Sequence, residues 1–327
     1  MQFRRMVVPL DGSDAASAAL RHANGLARRF GGELLLLTVL DVRGYGSHMR
    51  PEALDWRLRH DEALARLRAI AGASISPAVR FDCTVLDGGP AERIHAFARE
   101  RRADLIVFSR VGESGGSGFR LGGTALRLAA LDDVSTLAVS PDHTDATPCY
   151  GTILVPLDGS RRAEQAVAAA VSSAAPGARL LLLHVVEMPG FRAAACIGTT
   201  ERDLRDRIVA YSESHARRYL NGVAARFHRH ARIRSVIRRS TNVIRTIVAA
   251  AGEEQADLVL MVEEPGAAAN GRASDTARGV AESCRTPVLV LRRGVEQAPA
   301  SNASEAEAEA RGRIDRHRAP IPIADPR

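Results

Sequence analysis

The sequence predicts an α/β protein: two doubly wound, parallel five-stranded sheets in tandem. Three observations carry this. Runs such as Glu33–Leu40 (ELLLLTVL) and Asp104–Ser109 (DLIVFS) are almost continuously apolar, the mark of short strands buried on both faces. They alternate with longer amphipathic segments of helical period, which cover such a sheet. The whole pattern then occurs twice. VPLDGS at Val8–Ser13 returns at Val155–Ser160, RRADLIVFS at Arg101 is echoed by EQADLVLMV at Glu254, and STLAVS at Ser135 by TPVLVL at Thr286. A period of domain size marks a duplication and not a solenoid.

In chain order, the first half reads as strand Met6–Leu10, ended by Asp11, then helix Ser13–Phe30, capped by Asp11, Ser13 or Asp14. After a glycine turn come strand Glu33–Leu40, helix Pro51–Ala71, strand Val79–Leu86, helix Pro90–Arg101, strand Asp104–Ser109, helix Gly123–Leu131 and strand Thr136–Ser140. The second half repeats this from Thr152 to Arg292, with a long middle helix over Thr200–Phe227. The expected domains are therefore residues 1–141 and 151–293, joined by a polar linker at 142–150. Beyond residue 293 hydrophobic period is lost and prolines accumulate, so residues 294–327 read as a disordered tail with at most a transient helix over Ala303–Arg311.

Composition narrows the function. With 327 residues, 46% of them hydrophobic, the chain can bury two domain-sized cores; at 4% aromatics those cores must be aliphatic. The formal charge of +7 rests on arginine alone, since the chain has no lysine. Such a composition reflects genome bias more than a nucleic-acid surface, and no basic stretch is interleaved with stacking aromatics. The arginines between Arg202 and Arg239 read as a solvated face, with an acidic partner as the open alternative. Cys83, Cys149, Cys196 and Cys284 are scattered without metal-ligand spacing, which suits buried thiols in a reducing cytoplasm. The first apolar run is too short for a signal peptide, and none is long enough to span a bilayer.

Chemistry concentrates at two places. Asp11 follows a buried strand, where ligands of doubly wound sheets sit; it can accept ligand hydrogen bonds or serve the helix as a cap. The segment Val107–Leu126 holds Gly112, Gly115, Gly116, Gly118, Gly122 and Gly123, and ends in Gly123-Thr124 just before an apolar helix. Amides at a helix start favour phosphate, with Arg110 and Arg120 as candidate charges, while a plain flexible connection remains the alternative. A P-loop is excluded for want of lysine, and GxGxxG fails at Leu121. Gly112–Gly116 formally matches GxSxG, but Ser114 lies away from a strand-to-helix elbow, and Asp142 and His143 fall in the linker, so a serine hydrolase is a remote reading. His22, His95 and His184 show no matched acidic or cysteine partner and read as surface or satisfied core residues.

Taken together, VPLDGS, LLLLTVLDV, GGPAERI, ADLIVFS, the loop ending in GGT and STLAVS resemble the universal stress protein family, over Met6–Ser140 and again over Thr152–Leu291. The resemblance implies a Rossmann-like, adenine nucleotide alpha hydrolase-like fold and a regulatory role in stress adaptation. It also implies an ATP or AMP site, with Mg as a candidate companion ion. Carried over residue by residue, that site comprises Pro9, Leu10, Asp11, Val39, Ser109, Gly112, Gly123, Thr124 and Ala125. Ser109 departs from a family glycine, Val111 from a frequent histidine, and the closing pair lies one residue farther along. In the second half Asp158 and Val185 remain, but Val262 and Pro265 replace the glycines, and Glu263, Glu264 and Asp275 bring negative charge. Nucleotide is therefore expected in the first half only. The family's habit of pairing through final strands implies that Thr136–Ser140 and Pro287–Arg292 meet within the chain, with a homodimer and a protein partner as further expectations. No catalytic group is implied, and ATP hydrolysis would be slow and incidental. The competing reading is a nucleotide-free interaction scaffold with decayed sites.

Overall fold

In the computed structural model, which describes residues 3–41, 53–112, 121–131, 133–141, 150–188, 199–263 and 273–292, the strands form one sheet. The first half contributes β1 (Arg5–Pro9), α1 (Asp14–Phe30), β2 (Glu33–Leu40), α2 (Ala53–Ser74), β3 (Phe81–Asp87), α3 (Pro90–Glu100), β4 (Leu105–Ser109), α4 (Gly123–Ala129) and β5 (Ser135–Val139). The second contributes β6 (Tyr150–Pro156), α5 (Ala163–Ser173), β7 (Ala174–Glu187), α6 (Thr199–Phe227), β8 (Arg232–Ser240), α7 (Val243–Glu253), β9 (Leu258–Val262), α8 (Ala273–Ser283) and β10 (Val288–Leu291). The strand order is β3-β2-β1-β4-β5-β10-β9-β6-β7-β8. Each half is thus a parallel five-stranded sheet, and the two fuse into ten strands through a single antiparallel junction, β5 with β10, centred on Leu137 opposite Leu289.

The element boundaries follow from local chemistry. Ser13 caps α1: its Oγ accepts from Ala16 N at 3.2 Å. The helix ends at Gly31, which takes a left-handed φ of 66° that a side chain would resist. Strand β3 starts at Phe81, two residues later than the apolar pattern suggests, because Val79 N is spent in a turn on Ser76 O. The repeated Ala-Asp before β4 and β9 has a structural purpose. Asp104 Oδ2 accepts from Arg4 N at 2.8 Å and Arg5 N at 3.0 Å, and Asp257 Oδ2 accepts from Gly151 N at 2.9 Å and Thr152 N at 2.8 Å. Each carboxylate anchors the start of its half's first strand. The expected linker loses Tyr150 to β6, because that side chain is buried with its hydroxyl 3.0 Å from His22 Nδ1 on α1; burial raises the Tyr150 pKa. The stretches 142–149 and 294–327 lie outside the described residues.

The core is aliphatic and continuous across the junction. Val7, Leu37, Ile106 and Phe108 belong to the same buried cluster as Leu154, Leu183, Val259 and Val290. No helix among the described residues is long and apolar enough to cross a membrane.

Two buried arginines cross the junction. Arg110, only 4% exposed and directly after β4, donates to the Cys284 and Glu282 carbonyls at the end of α8. Arg292, 2% exposed and directly after β10, donates to the Ala129 carbonyl at the end of α4 (2.6 Å) and to Thr136 Oγ1 (3.0 Å). Arg292 also pairs with Glu263 Oε2 at 2.9 Å. The orphan carbonyls of each half's last helix are therefore satisfied by the other half. Removing one partner of a buried pair strands the other charge, so Arg292→Ala should cost roughly 3–5 kcal/mol in urea denaturation. The paired change Arg292→Met with Glu263→Leu should recover a large part of that loss.

Candidate functional site

The C-terminal ends of β1, β2 and β4 open into a cavity of about 460 Å³ against the N-terminal turns of α3 and α4. Its wall includes Pro9, Leu10 and Asp11 at the end of β1, Val39 on β2, Ser109 and Gly112 at the end of β4, and Gly123, Thr124 and Ala125 on α4. The nine residues carried over from the family pattern thus lie on one wall. Asp41, Val111 and Gly122 line it too; Asp41 ends its strand just as Asp11 does, a signal that was available in LTVLDV. Gly122 N donates to Arg110 O at 2.9 Å, which ties the start of α4 to the end of β4. Ser114, Gly115, Gly116, Gly118 and Arg120 lie outside the described residues.

Asp11 serves the helix and the wall at once. Its Oδ1 accepts from Ser13 N at 3.0 Å and Ser13 Oγ at 2.6 Å, which orients the serine that caps α1. Of the three cap candidates Ser13 is the cap and Asp11 its anchor. Asp158 repeats the arrangement, accepting from Ser160 N at 2.8 Å while Ser160 Oγ takes Ala163 N at 3.1 Å. The other carboxylate oxygen of Asp11 is packed against Gly112 so closely that a Cβ there would meet it at 2.7 Å. A side chain at 112 would have to displace the Asp11 carboxylate.

The expected charges are rearranged. Arg110 does not face the cavity: its guanidinium turns to the α8 carbonyls, which offer buried acceptors that a solvated phosphate site cannot. The described wall holds two carboxylates and no cation. A neighbouring cleft of about 510 Å³ shares Leu10, Asp11, Val39 and Asp41 with it and carries Arg59 and Arg66 from α2.

In the second half an analogous cavity of about 630 Å³ lies at the ends of β6, β7 and β9. Glu263, expected to repel phosphate there, does not face it as a free charge: it is 6% exposed and bound by Arg292. Asp275 is exposed and pairs with Arg278 at 3.2 Å, and Thr276 lines the cavity in its place. Glu264 and Pro265 lie outside the described residues. Two histidines have partners the sequence did not reveal. His95 Nε2 lies 2.8 Å from Asp133 Oδ1, brought near by the packing of α3 on α4, and His184 Nδ1 donates to Leu157 O at 2.7 Å. Burial raises the pKa of the Cys83 and Cys284 thiols, the opposite of what a reactive cysteine needs.

Known proteins resemble this chain in sequence and in fold. The model of the Universal stress protein family matches residues 2–140 and 150–292. A universal stress protein of Methanocaldococcus jannaschii is 30% identical over 130 residues, covering 38% of this chain and 75% of that one. The crystal structure of a universal stress protein from Archaeoglobus fulgidus superposes with a TM-score of 0.59 at 17% identity, over 90% of this chain and 100% of the other. A functionally unknown protein from Pseudomonas aeruginosa gives 0.57 at 16% identity, over 88% and 92%.

The contact between Gly112 and Asp11 is testable. Gly112→Ala should destabilise the protein by roughly 1–3 kcal/mol, as overpacking does. In an Asp11→Ala background the same change should cost less, with a coupling of about 1 kcal/mol in a double-mutant cycle by urea denaturation.

Proposed function

The chain belongs to the universal stress protein family, with two family domains in tandem, and from this we propose that its first half binds an adenine nucleotide, ATP or AMP, and acts as a regulatory module in stress adaptation. One observation carries the reading: the residues that the family pattern marks for nucleotide, from Pro9 to Ala125, form the wall of a single 460 Å³ cavity, a volume suited to a small ligand. Apolar side chains of Val39, Ile94 and Phe108 suit a base, the carboxylates of Asp11 and Asp41 suit ribose hydroxyls, and the amides at Gly123 and Thr124 suit an anionic tail. Mg would enter as the nucleotide's own counter-ion, with Asp11 and Asp41 as the nearest carboxylates.

The reading assigns no catalytic residue; hydrolysis of ATP is slow and incidental. It restricts nucleotide to the first half, because Val262 stands where Ser109 serves the first, and Asp275 in place of Gly123. Residence in the cytoplasm suits the free thiols of Cys83 and Cys284. A second reading, an interaction scaffold without nucleotide, draws support from Ser109 in place of a glycine and from the lack of a cation on the described wall.

Acid extraction of the purified full-length protein, followed by chromatography, should release ATP or AMP. Calorimetric titration should then show ATP binding that Gly123→Asp weakens by an order of magnitude or more, since a carboxylate would face the phosphates at short range. A Cβ at 123 meets nothing within 4 Å, so the variant should fold. No nucleotide in the extract and no heat with either folded protein would leave the scaffold.

A further inference from the structure

The starts of the first half's strands frame a further cavity, of about 520 Å³, at the end of the sheet opposite Asp11. Four arginines line it: Arg4 and Arg5 at the start of β1, Arg80 directly before β3, and Arg102 after α3. Both carboxylates on its wall are already engaged. Asp104 Oδ2 takes the amides of Arg4 and Arg5, and Glu33 Oε1 pairs with Arg5 Nε at 2.8 Å. Arg5 Nη1 also donates to the Arg101 carbonyl at 3.2 Å. The side chains of Arg80 and Arg102 find neither a hydrogen bond nor an ion pair among the described residues. The wall therefore carries positive charge that its own carboxylates leave uncompensated.

The second half is an internal control for this end of the sheet. Extending the strand registers puts Gly151 and Thr152 where Arg4 and Arg5 stand, and Arg232 where Arg80 stands. Gln255 matches Arg102: both sit in the left-handed region, at φ 50° and 52°. Asp257 keeps the anchoring bonds of Asp104. The backbone thus forms in the same way without three of the four arginines. The neighbouring helix ends do not require them either, since Arg28 and Arg29 lie in the last turn of α1 and Arg99 in that of α3. In the second half the charge is also matched internally. Arg179 reaches the Thr152 hydroxyl and the Glu254 carbonyl, and the Glu254 carboxylate holds Arg234.

We propose that the first-half cavity is an anion site for a compact oligophosphate, held by Arg80 and Arg102 with Arg4 beside them. A guanidinium donates in a planar fork that matches two oxygens of a phosphate. A carboxylate has only two oxygens, in one plane, and one fork uses both. A terminal phosphoryl group offers three in a tetrahedral array, so forks that arrive from separate segments, before β3 and after α3, can share it. A short chain of such groups brings several charges within a volume suited to a small ligand. The site is independent of nucleotide binding at the other end of the sheet.

The probe is inorganic tripolyphosphate, titrated calorimetrically into the full-length protein, with citrate as the carboxylate counterpart. Tripolyphosphate should bind, and citrate should bind roughly tenfold more weakly or not at all. The double variant Arg80→Gln with Arg102→Gln should weaken tripolyphosphate roughly tenfold or more, through loss of charge-assisted contacts. Both positions are exposed, and glutamine already occupies the matching turn at Gln255, so this variant should fold. Removing two exposed arginines elsewhere, Arg217→Gln with Arg218→Gln on α6, should leave binding intact, as should Gly123→Asp in the other cavity. Absence of tripolyphosphate binding, equal binding of citrate, undiminished binding by the Arg80 and Arg102 variant, an equal loss in the α6 control, or loss in Gly123→Asp would each overturn the proposal. Competition in the Gly123→Asp variant then assigns the source: displacement of tripolyphosphate by ATP means that the site takes a nucleotide's tail, and lack of displacement means free oligophosphate, either of which upholds it.

Discussion

The seam between β5 and β10 holds a pair of buried arginines, and the arrangement of both halves depends on how their charge is satisfied. A strand edge exposes unpaired backbone groups. Two such edges close here through very short strands, Ser135–Val139 and Val288–Leu291. So short a ladder supplies few hydrogen bonds. Arg110 and Arg292 extend it, each reaching from the end of one half's strand to the helix end of the other. The same backbone slot, whose N–H bonds the last strand, holds Arg110 in the first half and Glu263 in the second. The remaining sheet edges are β3 and β8, and β8 carries Arg232, Arg234, Arg238 and Arg239, the kind of charged edge that resists further pairing.

This seam constrains the cavities as well. Arg110 is one residue from the cavity-lining Val111, and its carbonyl receives Gly122 N at the start of α4. With its guanidinium committed to α8, it is withdrawn from any ligand. Glu263 is withdrawn likewise. Each cavity is therefore defined by aliphatic strand ends and by the carboxylate that follows the first strand. Asp11 and Asp158 each bind the serine two residues on, ahead of the next helix.

How far these features were legible in the sequence depended on their range. The strands and helices were readable because period and apolar runs are local, and β4 emerged within a residue of its expected limits, Leu105–Ser109 against Asp104–Ser109. Of the first cavity's wall, Asp11 and the glycine-rich segment were readable from their place at strand ends, and the other residues were marked by the family resemblance. Three things were not readable. The partner of His95 lies 38 residues away on another element. The anchoring role of Asp104 and Asp257 looked like a mere motif echo. Arg110 looked like a phosphate contact because the sequence shows only what surrounds it in the chain, the start of a glycine-rich segment.

By itself the sequence determined that this protein is a duplicated α/β chain whose first half keeps an acidic strand end and a glycine-rich turn. Such properties reside in backbone preference and hydrophobic period, which act over a few residues. Tertiary structure alone decided where the charges went. A buried arginine goes to the acceptors that can satisfy it at least cost in desolvation, and the carbonyls that do so across the β5–β10 seam lie more than 150 residues away in the chain.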